Sequence, residues 1–249
     1  MPEPLFEPYQ WTTSDRDRLD QDGFLLLPGL LTPPAQTQLT AALARVNELP
    51  VTPTQPPRRY AAEHDAYLAS VIAHPQMFAL ARTILGTNIR FDHCVDLSRA
   101  GRDPGSTWHT HPYADDQPEL GFIRIFFYVN GFTAGDGGLR VVPGSHLFRH
   151  NRVQSATDEE LWAGPVQDQR HPLTGEPLAI QDLQAPPGSV ILLWTHALHA
   201  VSPRRPESET RWAVVYGYRN PGQPSGARWI SESFEQHPPV GAEALMSVD

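Results

Sequence analysis

Lysine is absent from this 249-residue chain; all 19 basic residues are arginines. That excludes Schiff-base and lysine general-base chemistry, so any anion held inside must be met by arginine, backbone N–H groups or hydroxyls. We read the absence itself as a compositional bias. Cysteine is nearly as scarce: Cys94 stands alone, which rules out an internal disulfide and a cysteine-based zinc site. No stretch reaches the roughly 18 apolar residues of a membrane helix. The opening MPEPLFEPYQ also lacks the basic segment and apolar run of a secretory signal. The expectation is a cytoplasmic protein with no membrane partner. The formal net charge of −9, with no concentrated basic face, argues against nucleic acid.

What is present fits one domain spanning residues 1–249, with 40% hydrophobic residues. The early segment DQDGFLLLPGLLTPPAQTQLTAALARV reads as a short apolar strand, a Pro-Gly break and a helix. Thr32 caps that helix, Pro33 occupies its first turn, and Leu39, Leu43 and Val46 follow at helical spacing. A second helical pattern, YLASVIAHPQMFALARTIL, is interrupted near Pro75 and ended by Gly86. From about residue 88 the character changes. Short β-rich runs (IRFDHCVDLSR, GFIRIFFYVNGF, LRVVPGS, SVILLWTHALHAVS, RWAVVYGYR) are separated by Gly, Pro and Asp clusters. The expected organisation is a helical part over about 1–87, an antiparallel sandwich or barrel over about 88–220, and a polar tail over 221–249. A polar excursion from His150 to Pro187, with a short helix at ATDEELWAG, is long enough to act as a lid.

In STWHTHPYADD, His109 and His111 are two residues apart, so on a strand both imidazoles face one way. His199, after the apolar run SVILLW, is a candidate third ligand. Three such groups suit iron, copper or zinc, and a facial triad with open positions is the arrangement of non-heme Fe(II) oxygenases. The competing reading is three hydrogen-bonded structural histidines. Arg211 begins the strand after His199, where it either grips a carboxylate bidentately near the metal or sits as a surface charge.

Taken together, QDGFLLLPGLL, WHTHPY, GDGGLRVVPGSH and the spacing from HAVSP to Arg211 resemble the phytanoyl-CoA dioxygenase family of Fe(II)- and 2-oxoglutarate-dependent oxygenases, over roughly Gln21 to Arg219. The resemblance implies a mainly β fold, a double-stranded β-helix (jelly-roll, cupin-like), with the N-terminal helical layer packed on one sheet. It implies His109 and His199 as iron ligands, Arg211 on the far carboxylate of 2-oxoglutarate, and Ser202 as a further cosubstrate contact. His146 of the PGSH turn is structural on this reading. Fe(II), 2-oxoglutarate and dioxygen are then required, and a small organic molecule is hydroxylated.

One position departs from the family pattern of His-x-Asp or His-x-Glu: His111 occupies the carboxylate place. Three readings stay open. His109, His111 and His199 form a three-histidine site, used with 2-oxoglutarate or by a dioxygenase that acts without it; Asp115 or Asp116 folds back to provide the carboxylate; or the protein is a non-catalytic small-molecule-binding pseudoenzyme. Trp108 and Tyr113 are candidate pocket walls, and Arg140 and Arg102 candidate contacts for an anionic substrate, each with a packing or surface role as the alternative. The oligomeric state is left open.

Overall fold

The computed structural model describes residues 3–111, 120–150 and 152–247. Along the chain run α1 (Thr13–Asp22), β1 (Phe24–Leu27), α2 (Pro33–Glu48), α3 (Ala61–His64), α4 (Ala66–Ile72), α5 (Pro75–Leu85), β2 (Arg90–Asp96), β3 (Ser106–His109), β4 (Phe122–Tyr128) and β5 (Leu139–Val141). They are followed by β6 (Gln154–Ser155), α6 (Asp158–Ala163), β7 (Gln181–Asp182), β8 (Ser189–Trp194), β9 (His199–Val201), β10 (Ala213–Arg219), α7 (Glu232–Gln236) and α8 (Glu243–Met246). Two five-stranded antiparallel sheets result, in the orders β1-β8-β4-β10-β2 and β6-β3-β9-β5-β7. They form a jelly-roll with the helices packed on the outer face of the first sheet.

The helical boundaries follow local chemistry. Thr32 caps α2 by accepting from the Ala35 N–H, and Pro33 opens it. The α2 residues Leu39, Leu43 and Val46 are buried together with Met77, Leu80 and Ile84 of α5. No single helix among the described residues is long and apolar enough to cross a membrane, and the bent pair α4 and α5 buries its apolar side chains in this core.

Because the first sheet is covered on both sides, its strands read as continuous apolar runs rather than alternating ones. Ile125, Phe127, Val214, Tyr216 and Leu192 face the helices, whereas Phe126, Tyr128, Ala213, Val215, Ile191 and Leu193 face the second sheet. The alternation carries polar groups inward too. Arg124 lies opposite Gly217 on β10, and Gly217 lies opposite His93 on β2. A side chain at Gly217 would meet the His93 ring at 2.4 Å, so the glycine leaves that ring its place.

Two expectations need correction. The excursion beyond residue 150 is no lid in its described part. It wraps the outer face of the second sheet, adding β6 and β7 to its edges, while Leu161 and Val166 pack against Trp108, Val142, Leu198 and Ala200. Nor is the polar C-terminal segment only a tail in its described part: Leu245 and Met246 join the main core, and Trp229 bridges to His93. Sequence polarity misled because few apolar residues suffice to anchor a segment on an existing face.

Strand β3 approaches β9 closely only because Gly105 precedes it. Gly105 has φ +79°, and a Cβ there would stand 2.1 Å from the Val201 carbonyl oxygen. Gly105→Ala is therefore expected to cost more than about 1 kcal/mol of stability, through both backbone strain and displacement of β3. Urea unfolding monitored by circular dichroism checks this.

Candidate metal centre

His109 and His199 are direct partners in the antiparallel pairing of β3 with β9, so their side chains share one face. Their ring centroids lie 4.2 Å apart. His111 lies just past the end of β3, so the simple strand argument reaches only His109. Its ring is brought in from there: its centroid is 4.9 Å from that of His109 and 5.0 Å from that of His199, and the His111 and His199 Nε2 atoms are 3.2 Å apart. One nitrogen from each of the three lies within 4.8 Å of the others, the only such grouping of possible metal ligands among the described residues.

The outer hydrogen bonds select the tautomer. His109 Nδ1 meets the Thr107 carbonyl and His199 Nδ1 meets the Ala197 carbonyl, each at 2.8 Å. Only a protonated Nδ1 can donate there, which leaves both Nε2 lone pairs free for a metal ion. Burial pushes all three imidazoles below their ordinary pKa, His111 and His199 well below it, and the neighbouring Arg124 charge acts in the same direction. They are neutral at physiological pH, the form that ligates a metal.

The three rings line a cavity of about 230 Å³ between the sheets, together with Leu139 and Val201 from the second sheet and Val95, Phe126, Tyr128 and Val215 from the first. Arg211 precedes Ala213 by two residues on the continuation of β10, so it enters from the same inner face. It is 2% exposed. Its Nη2 donates to the Leu97 carbonyl at 3.0 Å and its guanidinium lies 5.3 Å from the Tyr128 ring centre, but Nε and Nη1 have no hydrogen-bond partner among the described residues. Burial pushes its pKa down to about 10. The cation thus persists at neutral pH with donors to spare, which fits a ligand carboxylate.

Other candidate residues lie elsewhere. Ser202 does not line the cavity; its hydroxyl accepts from the Gly138 N–H at 2.9 Å and fastens β9 to that turn. Trp108 points to the opposite face of its sheet, donating Nε1–H to Asp158 at 2.8 Å. Arg140 lies on the same far side, paired with Asp158 and Asp182. These three expectations are corrected: adjacent strand residues face opposite ways, and Trp108 is adjacent to His109. Arg102 is exposed on a loop and is not part of the cavity wall. His146 is away from the three rings, donating from Nε2 to the Asp20 carbonyl at the end of α1. Tyr113, Asp115 and Asp116 lie outside the described residues.

Among the lining residues that the sequence reading did not single out are Arg59, Arg99, Arg124 and Trp229. Arg59 stacks over Trp229 at 4.8 Å, and Arg99 pairs with Asp103. A signal for Arg124 was available, since it is the one charge inside the otherwise apolar run FIRIFFY.

The phytanoyl-CoA dioxygenase (PhyH) family model matches residues 19–211. No curated protein sequence matches the chain. Similar solved structures include HygX from Streptomyces hygroscopicus with nickel and 2-oxoglutarate bound, at 16% identity over 86% of this chain and 89% of that one, TM-score 0.63. The carbocyclase SnoK from nogalamycin biosynthesis is 14% identical over 91% and 90%, TM-score 0.65. EctD from S. alaskensis with bound Fe is 18% identical over 88% and 82%, TM-score 0.60. At these identities the likeness establishes the fold.

Two outcomes are expected. Ni(II) binds one to one by calorimetry, and His109→Ala or His199→Ala weakens it more than tenfold. In the metal-free protein, the unfolded chain takes up protons on these histidines below about pH 6.5 while the folded chain resists. Stability is therefore full above that pH and falls as pH is lowered through it. Replacing all three by glutamine lessens the slope, and buried His93, His146 and His196 keep the remainder, as urea titrations at pH 7.5, 6.5 and 5.5 would show.

Proposed function

The chain belongs to the phytanoyl-CoA dioxygenase family, and from that membership we propose that it is an Fe(II)- and 2-oxoglutarate-dependent oxygenase that hydroxylates a small organic molecule. The observation that carries this reading is the convergence of His109, His111 and His199 in one cavity with the incompletely bonded guanidinium of Arg211. Iron, 2-oxoglutarate and dioxygen together supply the oxidising power needed to break a substrate C–H bond.

The protein's own residues hold and orient. His109 and His199 present Nε2 from paired strands, their rings fixed by backbone carbonyls. His111 supplies the third nitrogen. Arg211 receives the far carboxylate of the cosubstrate through its unpartnered Nε–H and Nη1–H. Phe126, Val215, Leu139 and Val201 keep the cavity apolar between these polar ends and limit access of water. Support for a small-molecule substrate comes from the neighbours, among them HygX with nickel, 2-oxoglutarate and hygromycin B, and SnoN with Fe3+, alpha ketoglutarate and nogalamycin RO. An imidazole at position 111 leaves the centre one charge more positive than a carboxylate would, which shifts both redox potential and anion affinity.

Under anaerobic conditions, 2-oxoglutarate added to the Fe(II) protein is expected to produce a metal-to-ligand absorption band. Arg211→Ala should weaken 2-oxoglutarate by about 2 to 5 kcal/mol, since it removes a buried charge partner. Iron binding without the band in the wild type would indicate a three-histidine dioxygenase acting directly on a chelating substrate. Failure to bind iron at all would indicate a non-catalytic binding protein.

A further inference from the structure

Arg124 is a second buried cation in the cavity, and the assignments above give it no task. It is 4% exposed, lines the cavity, makes no hydrogen bond or ion pair among the described residues, and leaves Nε unpartnered. An isolated buried guanidinium is costly, so it persists where it meets an opposite charge in the working state. Asp92 is the acid whose charge bears on it, but that carboxylate is already shared by Ser225, Arg219 and His93. The cavity wall contains Arg59, Arg99, Arg124 and Arg211, and no carboxylate among its described residues.

Arg211 and Arg124 serve different ends of the cavity. Arg211 sits at Tyr128, four strand residues from Arg124, a separation of about 13 Å along β4. The His111 N–H donates to the Thr195 carbonyl and the Thr195 N–H to the Phe122 carbonyl, two residues before Arg124 on β4, so Arg124 stands at the His111 end of the cavity, and its charge bears on all three imidazoles. Position 111 is where the family pattern places an anionic ligand and this chain places a neutral one.

We propose that Arg124 anchors the primary substrate, which is a small organic anion whose carboxylate or phosphate sits beside His111 and provides the negative charge that the protein ligands lack. The inference rests on the oxygenase reading given above. A guanidinium fork matches either group bidentately. The cavity, smaller than the roughly 300–1,000 Å³ usual for drug-sized ligands, restricts the anion to a compact one.

The test uses the protein loaded with Ni(II) and saturated with 2-oxoglutarate, titrated calorimetrically with acetate, benzoate or inorganic phosphate, with benzyl alcohol as the neutral counterpart. At least one anion should bind and the alcohol should not; whether carboxylate or phosphate is tighter identifies the group. Arg124→Gln should weaken that anion at least tenfold, Arg124→Lys less, while 2-oxoglutarate affinity stays within threefold of wild type. Arg124→Met should raise Tm, because it removes a buried unpaired charge, whereas a structural cation would lower it. The proposal is overturned if no anion binds the wild type, if Arg124→Gln binds it equally well, or if Arg124→Gln loses 2-oxoglutarate as Arg211→Ala does. Should Arg124→Gln fail to fold, Arg124→Lys carries the comparison. Failure of the oxygenase reading is seen separately, as absence of nickel or 2-oxoglutarate binding before any anion is added.

Discussion

The antiparallel pairing of β3 with β9 places His109 and His199 directly across from each other, and the rest of the site depends on that contact. Cross-strand partners on one face are the closest side chains a sheet offers, so two candidate ligand nitrogens are brought together by backbone hydrogen bonds rather than by flexible loops. Gly105 permits the approach at one end of the ladder. At the other, the Ser145 hydroxyl accepts from the Leu198 N–H at 2.9 Å, just before β9 begins. Ser202, fastened to Gly138, holds the far end of β9. Residues of the PGSH turn and the HAVSP segment thus act as supports for the strand that carries His199.

The first sheet gives the opposite wall its rigidity. Helices cover one face and the cavity occupies the other, so nearly every side chain on β4, β8 and β10 is buried. A charge placed on such a strand has no route to water. Arg124 and Arg211 are therefore fixed cations in a low-dielectric cleft, where electrostatic interactions with a bound anion are stronger than at the surface. Asp158 with Arg140 and Asp136 with Arg204 show that this chain does pair its arginines elsewhere. The incomplete pairing inside the cavity is thus a local feature of the site and does not follow from a shortage of acids.

Much of this was legible in the primary structure. Thr32 and Pro33 mark the start of α2, Gly86 ends α5, and the apolar runs mark the strands of the first sheet. His109, His199 and Arg211 stand out by type and order. Parity along a strand would also have removed Trp108 from the cavity, since it neighbours His109. Other features were illegible because they depend on long-range packing. The descent of the C-terminal segment onto β2, which brings Trp229 to the cavity, leaves no periodic signal. The wrapping of residues 152–187 around the second sheet rests on a few side chains, such as Leu161 and Val166, within a polar stretch.

By itself, the sequence determined the class of elements, their order and the residue types available for chemistry, because capping, turn and alternation rules act over a few residues. Only the tertiary structure decided which of those residues share a space. Whether His111, beyond the end of its strand, turns toward His199, and whether Arg124 faces the cavity rather than the helices, depends on how two sheets close over each other. Those contacts join residues far apart in the chain, and no local rule reaches across that distance. STWHTHPYADD therefore contributed the histidines, and the closure of β3 onto β9 assembled them into one centre.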